Sequence, residues 1–248
     1  MKRLFGQLML CMALLYFVTA CKKETETLSS ELGYDYYPDD SGTFVVYKVD
    51  SMIFDDFTRT KRSTTKYLKE KVTEQFIDNL GRLAKKVERY YSDTIPAANA
   101  WQLFNVYYTV KTNKVAERVE DNLRYIKLIF PNNVNDKWLG NRYIISPPPY
   151  IIDSSNYRVN DWLYTIQDKD VFFDDSFKTF DSTLTVFQIY DSSAINKTYS
   201  IEKYARNVGM VYKEFWIVTG QTNIGLPWID RAEKGFIVWQ YAIDYGKE

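Results

Sequence analysis

The side chains that could do chemistry in this chain are chiefly carboxylates, lysines, tyrosines and serines, because its 248 residues include no histidine and only two cysteines, Cys11 and Cys21. Ser-His-Asp and Cys-His catalysis are therefore excluded, as are the usual zinc and copper ligand sets. No fold can supply a side chain that the sequence lacks. We expect neither a metal site nor a cofactor.

Paired carboxylates could act in glycoside hydrolysis, where two acids flank the scissile bond. The chain has three adjacent aspartate pairs, but neighbouring residues on an extended chain point in opposite directions. Each pair also falls in a predicted turn, where aspartate is common. We therefore interpret all three as solvated turn residues: Asp39 and Asp40, Asp55 and Asp56, Asp174 and Asp175.

Two glutamates, Glu88 and Glu214, lie among aromatic residues within predicted strands. A lysine is close in sequence to each of them, Lys86 and Lys213, so a surface ion pair is the expected role. A serine nucleophile would need a buried lysine with a lowered pKa, whereas the Ser-x-x-Lys match at 63–66 lies in a charged stretch. The sequence predicts a chain that is not an enzyme, with a carboxylate-based glycoside hydrolase as an alternative.

Cys21 follows a positively charged start and an apolar run that ends at Val18. Small residues, Thr19 and Ala20, stand directly before the cysteine, as a signal-peptidase pocket requires. The segment resembles the lipobox of bacterial lipoproteins, with Val18 where leucine is usual. The resemblance implies that residues 1–20 are removed as a signal peptide and that Cys21 receives a diacylglycerol and usually a third acyl chain, palmitate being typical.

Lipidation would fix the chain to a membrane without spanning it. Each buried methylene contributes about 0.8 kcal/mol, so two or three acyl chains anchor a protein stably. The apolar run is shorter than the roughly 20 residues that a spanning helix needs. With Cys11 removed and Cys21 acylated, the domain would keep no thiol, which excludes disulfides.

Charge and composition bound the remaining partners. The 32 basic and 32 acidic residues cancel, and no long basic block occurs, so nucleic acid is not an expected partner. Hydrophobic residues make up 46% of the chain, enough to fill a core. We predict a signal peptide over 1–20, the lipidated cysteine with a flexible polar tether over 21–33, and one domain over 34–248.

Aromatic and β-branched residues occur along the whole domain, including 21 tyrosines, and this composition is typical of β-strands. Turn residues separate the segments that are rich in strand formers. They predict an all-β fold, an antiparallel meander that forms a curved sheet, half-barrel or barrel. The predicted strands are 43–54, 61–77, 82–91, 101–111, 115–130, 182–190, 198–206, 210–219 and 236–245, with one long irregular excursion over 131–162.

Five aromatic residues are candidate contacts for a ligand or partner: Trp138, Trp228, Trp239, Tyr241 and Tyr245. The last predicted strand places one aromatic-rich face together, formed by Ile237, Trp239, Tyr241, Ile243 and Tyr245. Such a face either packs in a core or lines a cavity for a lipid or other apolar ligand. Trp228 in the preceding loop and Trp138 in the excursion could instead contact a protein or a glycan. The sequence predicts a non-catalytic binding or structural role, with carriage of an apolar ligand as the alternative.

Three segments carry a family resemblance: 37–50, where Tyr-Pro precedes a glycine and an aromatic-rich strand; Phe130-Pro131 with 138–141; and 204–214. Together they resemble outer-membrane lipoproteins of the Bacteroidetes type, a family of uncharacterised function, with Phe44 where the pattern often has tryptophan. The resemblance implies a β-rich, non-catalytic domain anchored at the outer membrane, on its periplasmic face or at the cell surface. It supplies no catalytic residue.

The same resemblance implies O-glycosylation at Asp-Ser/Thr-apolar motifs. Three such motifs make Ser51, Thr94 and Ser182 the candidate acceptors. Asn196 begins an N-glycosylation motif, which a bacterial lipoprotein would rarely use.

Overall fold

The computed structural model describes residues 31–95, 100–145 and 159–248, and in these ranges the chain forms one antiparallel sheet of twelve strands. The all-β prediction is confirmed. The predicted signal peptide, Cys21 and residues 22–30 of the tether lie outside the described residues. The strands are β1 (Thr43–Asp55), β2 (Thr60–Ile77), β3 (Leu83–Ser92), β4 (Gln102–Lys111), β5 (Val115–Glu120), β6 (Leu123–Ile129), β7 (Lys137–Leu139), β8 (Leu163–Asp174), β9 (Thr179–Ser192), β10 (Asn196–Ala205), β11 (Gly209–Thr219) and β12 (Lys234–Lys247).

The sheet closes almost completely on itself. Its strand order is β6-β5-β4-β3-β2-β1-β12-β11-β10-β9-β8-β7, so β6 and β7 are the two edges. At the seam between them, Ile126 N–H donates to the Gly140 carbonyl (2.8 Å) and Trp138 Nε1–H donates to the Ile126 carbonyl (2.9 Å). The sequence left open a curved sheet, a half-barrel or a barrel. The structure is a nearly closed barrel.

Most predicted strands are confirmed to within a few residues. The prediction of a single strand over 115–130 is wrong, because Asp121 and Asn122 have positive φ angles of 51° and 61° and form the turn between β5 and β6. Asp and Asn tolerate this left-handed conformation better than most residues. β8 is absent from the prediction, since three register shifts against β9 interrupt the alternation of its side chains.

The 131–162 excursion is partly regular. It contains β7 and a 3-10 turn at Val159–Asp161, while 146–158 lie outside the described residues. The loop before β12 contains one helical turn, α1 (Trp228–Arg231). Within the described ranges, no helix is long and apolar enough to cross a membrane.

The main core lies beside the seam, around Trp138 and Tyr164, whose rings meet edge to face with 5.6 Å between centroids. Such ring pairs contribute about 0.5–1.5 kcal/mol beyond the area that they bury. Tyr36, from the segment before β1, is fully buried in the same cluster, and its hydroxyl donates to Asp170 (2.7 Å). The core therefore holds the N-terminal segment and the seam together.

We expect Gly140→Ala to destabilise the seam by about 1–3 kcal/mol, the usual cost of overpacking a core. An added Cβ would lie 2.4 Å from the ring of Tyr164, which is buried and donates from its hydroxyl to Asn141 Oδ1 (2.9 Å). The measurement is the free energy of unfolding in urea. The matched control is Gly225→Ala, where the new Cβ meets no atom of the described residues within 4 Å. Equal stability of the two variants would contradict the packing described at the seam.

Candidate functional site

The barrel contains two neighbouring, partly open cavities, of about 90 Å³ and about 280 Å³, and Arg118 and Lys127 line both of them. The larger one, called here the polar cavity, has a volume near the lower end of the range of small-molecule sites. Its wall combines charged side chains with aromatic rings, notably Arg118, Lys127, Glu202, Lys213, Trp162 and Phe215. We take the polar cavity as the candidate site.

Strand alternation places several of these groups on the interior face. On β10, Ser200 and Glu202 are two residues apart, and on β11 Lys213 and Phe215 have the same spacing, so each pair faces one side of the sheet. In the antiparallel register, Glu202 lies opposite Lys213 and Ser200 lies opposite Phe215. The four side chains therefore form one patch of the cavity wall.

Two other cavity residues are brought in by β-bulges. Lys127 is the extra residue of β6 against β5, because its neighbours Ile126 and Leu128 oppose consecutive residues of β5. Gln188 is in the same way the extra residue of β9 against β10. A bulge redirects a side chain that regular alternation would point elsewhere, and bulges are frequent beside functional sites. Both side chains line the polar cavity.

Glu202 is the centre of the charges in the polar cavity. It is 1% exposed, and its Oε1 accepts a hydrogen bond from Lys127 Nζ (2.6 Å), while its Oε2 accepts one from the hydroxyl of Tyr204 (2.6 Å). Lys213 Nζ lies 3.5 Å from the same Oε1. Two ammonium groups therefore share one carboxylate.

Burial and charge act in opposite directions on the pKa values of this group. Burial alone would raise the pKa of Glu202, but Lys127 and Lys213 stabilise its ionised form and lower its pKa to about 2. Burial lowers the pKa of Lys127 to about 8, and the positive charge of Lys213 contributes to the decrease. The negative charge of Glu202 acts in the opposite direction and limits the decrease. Both effects are those expected for charges in a poorly hydrated interior.

A second ionic network borders the first. Arg89 donates to Glu70 (Nη2 to Oε1, 2.9 Å) and to Glu120 (Nη1 to Oε1, 2.5 Å), and Arg118 donates to Glu120 (Nη2 to Oε2, 2.6 Å). The Arg118 guanidinium also stacks over the ring of Tyr107, 3.9 Å from its centroid. These two arginines and two glutamates balance each other in charge.

Burial raises the pKa of Glu70, with the charge of Arg118 opposing the change. Burial would also raise the pKa of Glu120, but the charge and hydrogen bonds of Arg118 lower it below its ordinary value. Glu120, which lines the polar cavity, is therefore held as a carboxylate.

The amide of Gln188 leaves one hydrogen-bond donor unused in the wall of the polar cavity. Gln188 is 3% exposed, and its Oε1 accepts a hydrogen bond from Ser200 Oγ (2.6 Å). Its Nε2 has no hydrogen-bond partner within the described residues. A buried donor without a partner costs about 1–3 kcal/mol, and a ligand that reached this nitrogen would recover that cost.

The sequence interpretation of Lys213 as the surface partner of Glu214 is wrong. Lys213 faces the polar cavity and lies against Glu202, whereas Glu214 accepts hydrogen bonds from Trp216 Nε1 (2.7 Å) and Trp239 Nε1 (3.2 Å). Adjacent residues of a strand point to opposite faces, so closeness in sequence misled the assignment. The other expected pair is present, with Lys86 Nζ 3.0 Å from Glu88 Oε1.

The aromatic candidates lie in separate places, and the polar cavity contains none of the five. Trp228 and Trp239 join the cluster around Phe54 and Ile237, and Trp138 is buried in the main core. Tyr241 packs against Tyr212 and Phe177, and Tyr245 packs against Phe180. The candidates thus fall into four places rather than one surface.

A bulge breaks the predicted face of the last strand. Tyr241 lies opposite Lys48 and Tyr245 lies opposite Val45, with a register shift between Val46 and Tyr47. Val45 and Lys48 are three residues apart on β1, so they belong to opposite faces. Tyr245 therefore leaves the alternation that joins Trp239 and Tyr241.

In two of the three aspartate pairs, one aspartate accepts hydrogen bonds that are typical of a turn. Asp55 Oδ1 accepts from the N–H groups of Phe57 and Thr58 (2.9 and 3.0 Å), and Asp175 Oδ1 accepts from those of Phe177 and Lys178 (both 2.9 Å). Side chains that hydrogen-bond to backbone two and three residues ahead are typical of Asx turns.

The candidate glycosylation residues differ in accessibility. Thr94 is exposed after β3, Ser51 is half-buried within β1, and Ser182 is half-buried on β9. The hydroxyl of Ser182 donates to Asp170 Oδ1 (2.6 Å) and accepts from Arg206 Nε (3.0 Å). Of the three acceptors, Thr94 offers the freest hydroxyl for modification.

Fold and site together define a twelve-stranded antiparallel β-barrel with an internal polar cavity. No family model matches the sequence, and the search of curated proteins gives no significant match. Solved structures similar over 85% of this chain include a proposed exported protein with a YmcC-like fold from Bacteroides fragilis (11% identity, TM-score 0.35, 98% of that chain) and a proposed lipoprotein from Parabacteroides distasonis (12%, 0.31, 98%). A third is a domain of a proposed outer-membrane lipoprotein-sorting protein from Vibrio parahaemolyticus (8%, 0.24, 87% of that chain). With TM-scores this low, the likenesses do not bear on what this chain binds.

Proposed function

We propose that this chain is a lipid-anchored protein of the outer membrane that binds a small ligand, without chemical conversion, inside its barrel. The anchor is supported by the lipobox-like segment ending at Cys21. The binding role rests on one observation, a partly open cavity of about 280 Å³ inside the barrel, whose wall carries two lysines and, among the described residues, a buried amide nitrogen without a hydrogen-bond partner. Membrane attachment and ligand binding then belong to separate parts of the chain.

A binding role fits the carboxylates of the polar cavity better than hydrolysis does. A general acid in glycoside hydrolysis needs a carboxyl group with a raised pKa, so that it carries a proton near neutral pH. Glu120 and Glu202 have lowered pKa values and are held by cations. Both would be ionised and paired rather than ready to donate a proton.

The same wall argues against a purely apolar ligand. Covering the partly exposed Lys213 with hydrocarbon would remove the remaining hydration of its charge without replacing it. Trp162 and Phe215 nevertheless give the cavity apolar surface. We therefore propose a ligand with both a polar and an apolar part. This proposal differs from the sequence-based alternative, in which the chain carries a lipid or other apolar ligand.

Blocking the cavity tests the binding role. The full chain in non-ionic detergent is titrated with 1-naphthylamine, an uncharged fluorescent dye small enough for this cavity, and the signal of detergent alone is subtracted. Ser200→Trp serves as the variant with a filled cavity. We expect saturable binding to the wild-type chain that Ser200→Trp weakens at least tenfold. Leu123→Trp fills the same cavity from another strand and repeats the test, with melting curves showing that each variant is folded. Equal binding by the wild type and both folded variants would place the dye elsewhere and contradict the proposal.

A further inference from the structure

We infer that the ligand of the polar cavity is a small amphiphile with a single anionic head, such as a carboxylate, which pairs with Lys213 and accepts a hydrogen bond from the Gln188 amide. Its apolar body would lie against Leu123, Trp162 and Phe215. This inference rests on the proposed binding role and names the chemical class of the ligand.

The first argument is the charge balance of the barrel interior. Arg89 and Arg118 are matched by Glu70 and Glu120, through the hydrogen bonds and ion pairs described above. Lys127 and Lys213 both lie against Glu202, which among the described residues is the one carboxylate within 4 Å of either ammonium group. One positive charge is therefore left over at the cavity wall, where a ligand of opposite sign would stabilise it.

Lys213 is the cation that remains for a ligand. Lys127 Nζ is at hydrogen-bond distance from Glu202, 2.6 Å, whereas Lys213 Nζ is 3.5 Å away. The side chain of Lys213 is 29% exposed and that of Lys127 is 10% exposed, so Lys213 is also the more accessible of the two. The remaining cavity carboxylate, Asp121, is on the exposed turn after β5, where solvent screens its charge.

The second argument is the unused donor of Gln188. Gln188 lines the same cavity as Lys213 and is buried. Ser200 donates to its Oε1, and in the part of the chain that the structure describes its Nε2 has no partner. A carboxylate accepts hydrogen bonds and donates none, so an anionic head has the chemistry that suits both a lysine and an amide N–H. A neutral alcohol would leave the charge of Lys213 unmatched.

The third argument is the size and apolar part of the polar cavity. A water molecule takes about 30 Å³ in the liquid, so about 280 Å³ accommodates a ligand of roughly ten non-hydrogen atoms. The side chains of Leu123, Trp162 and Phe215 offer apolar contacts. Octanoate has this size and chemistry, and it is the probe that we choose.

The test compares octanoate with octan-1-ol and with acetate by calorimetric titration of the full chain. Ser200→Trp, with its filled cavity, measures the binding that occurs outside the cavity. We expect the wild-type chain to bind octanoate at least tenfold more tightly than either comparison compound. Lys213→Met should remove that preference over octan-1-ol, and Lys213→Arg should keep it. The matched control is Lys197→Met, because Lys197 packs on Trp216 and does not line the polar cavity.

A second variant protects the test against a folding defect. Gln188→Leu removes the amide and not the lysine, and it should weaken octanoate binding while leaving octan-1-ol binding within about twofold. Equal affinity of the wild type for octanoate and octan-1-ol, or an unchanged preference in folded Lys213→Met, would overturn the inference. If the dye binds in the cavity and octanoate shows no preference, the binding role stands and the anionic head is wrong. If neither binds above the Ser200→Trp background, the binding role itself fails.

Discussion

Glu202→Ala should lower the free energy of unfolding by about 3–5 kcal/mol, the usual result of removing one partner from a buried ion pair. The substitution would leave Lys127 buried without its carboxylate, and it would also take the acceptor from the hydroxyl of Tyr204. Lys213 would lose its counter-charge at the same time. Equilibrium denaturation in urea at neutral pH measures the effect, and the wild-type chain is the reference.

The controls for this prediction separate burial from charge. Glu74 also pairs with a lysine, Lys86, but its side chain is 67% exposed, so Glu74→Ala should change stability little. Replacing Glu202 and Lys127 together, by Leu and Met, removes both charges and should recover much of the loss. A cost for Glu202→Ala no greater than that for Glu74→Ala would show that the interior network contributes nothing.

Acid titration gives an independent readout of the same group. The pKa of Glu202 is about 2 in the folded chain, below the value of about 4.3 for an unfolded glutamate. A lowered pKa stabilises the fold fully above the unfolded value, and that contribution is lost as pH falls from about 4.3 to about 2. In Glu202→Gln this part of the pH dependence should disappear, leaving a shallower decline of stability in acid.

Cys21→Ala should abolish fatty-acid labelling and release the protein from membranes. Each acyl methylene contributes about 0.8 kcal/mol, so losing two or three chains changes membrane partition by many orders of magnitude. Metabolic labelling with an alkyne analogue of palmitate, followed by membrane fractionation, measures both effects. Cys11→Ala is the matched control, because Cys11 lies in the segment expected to be removed, and its labelling should equal that of the wild type. Labelling that persists in Cys21→Ala would contradict the lipid anchor.

The strands were largely predictable because side-chain alternation and turn residues are local signals. The prediction failed where local backbone geometry departs from the simple pattern. Asp121 and Asn122 divide what looks like one strand into β5 and β6, and neither is a glycine that would mark the turn. β8 has three register shifts, so a two-residue period does not describe it.

The polar cavity could not be predicted from the sequence for two physical reasons. Lys127 and Glu202 are 75 residues apart, and only closure of the barrel brings them to 2.6 Å. Lys127 and Gln188 are also the extra residues of bulges, so alternation gives no guide to where they point. The signal that could have been used is Glu202 itself, a glutamate between Ile201 and Tyr204 within a clear strand.

The most direct test of the binding account is a crystal structure of the chain with octanoate. We predict that the carboxylate lies within hydrogen-bond distance of Lys213 Nζ and Gln188 Nε2, and that the hydrocarbon chain contacts Trp162 and Phe215. A polar cavity that holds only water at saturating octanoate, or a carboxylate bound on the outside of the barrel, would contradict it.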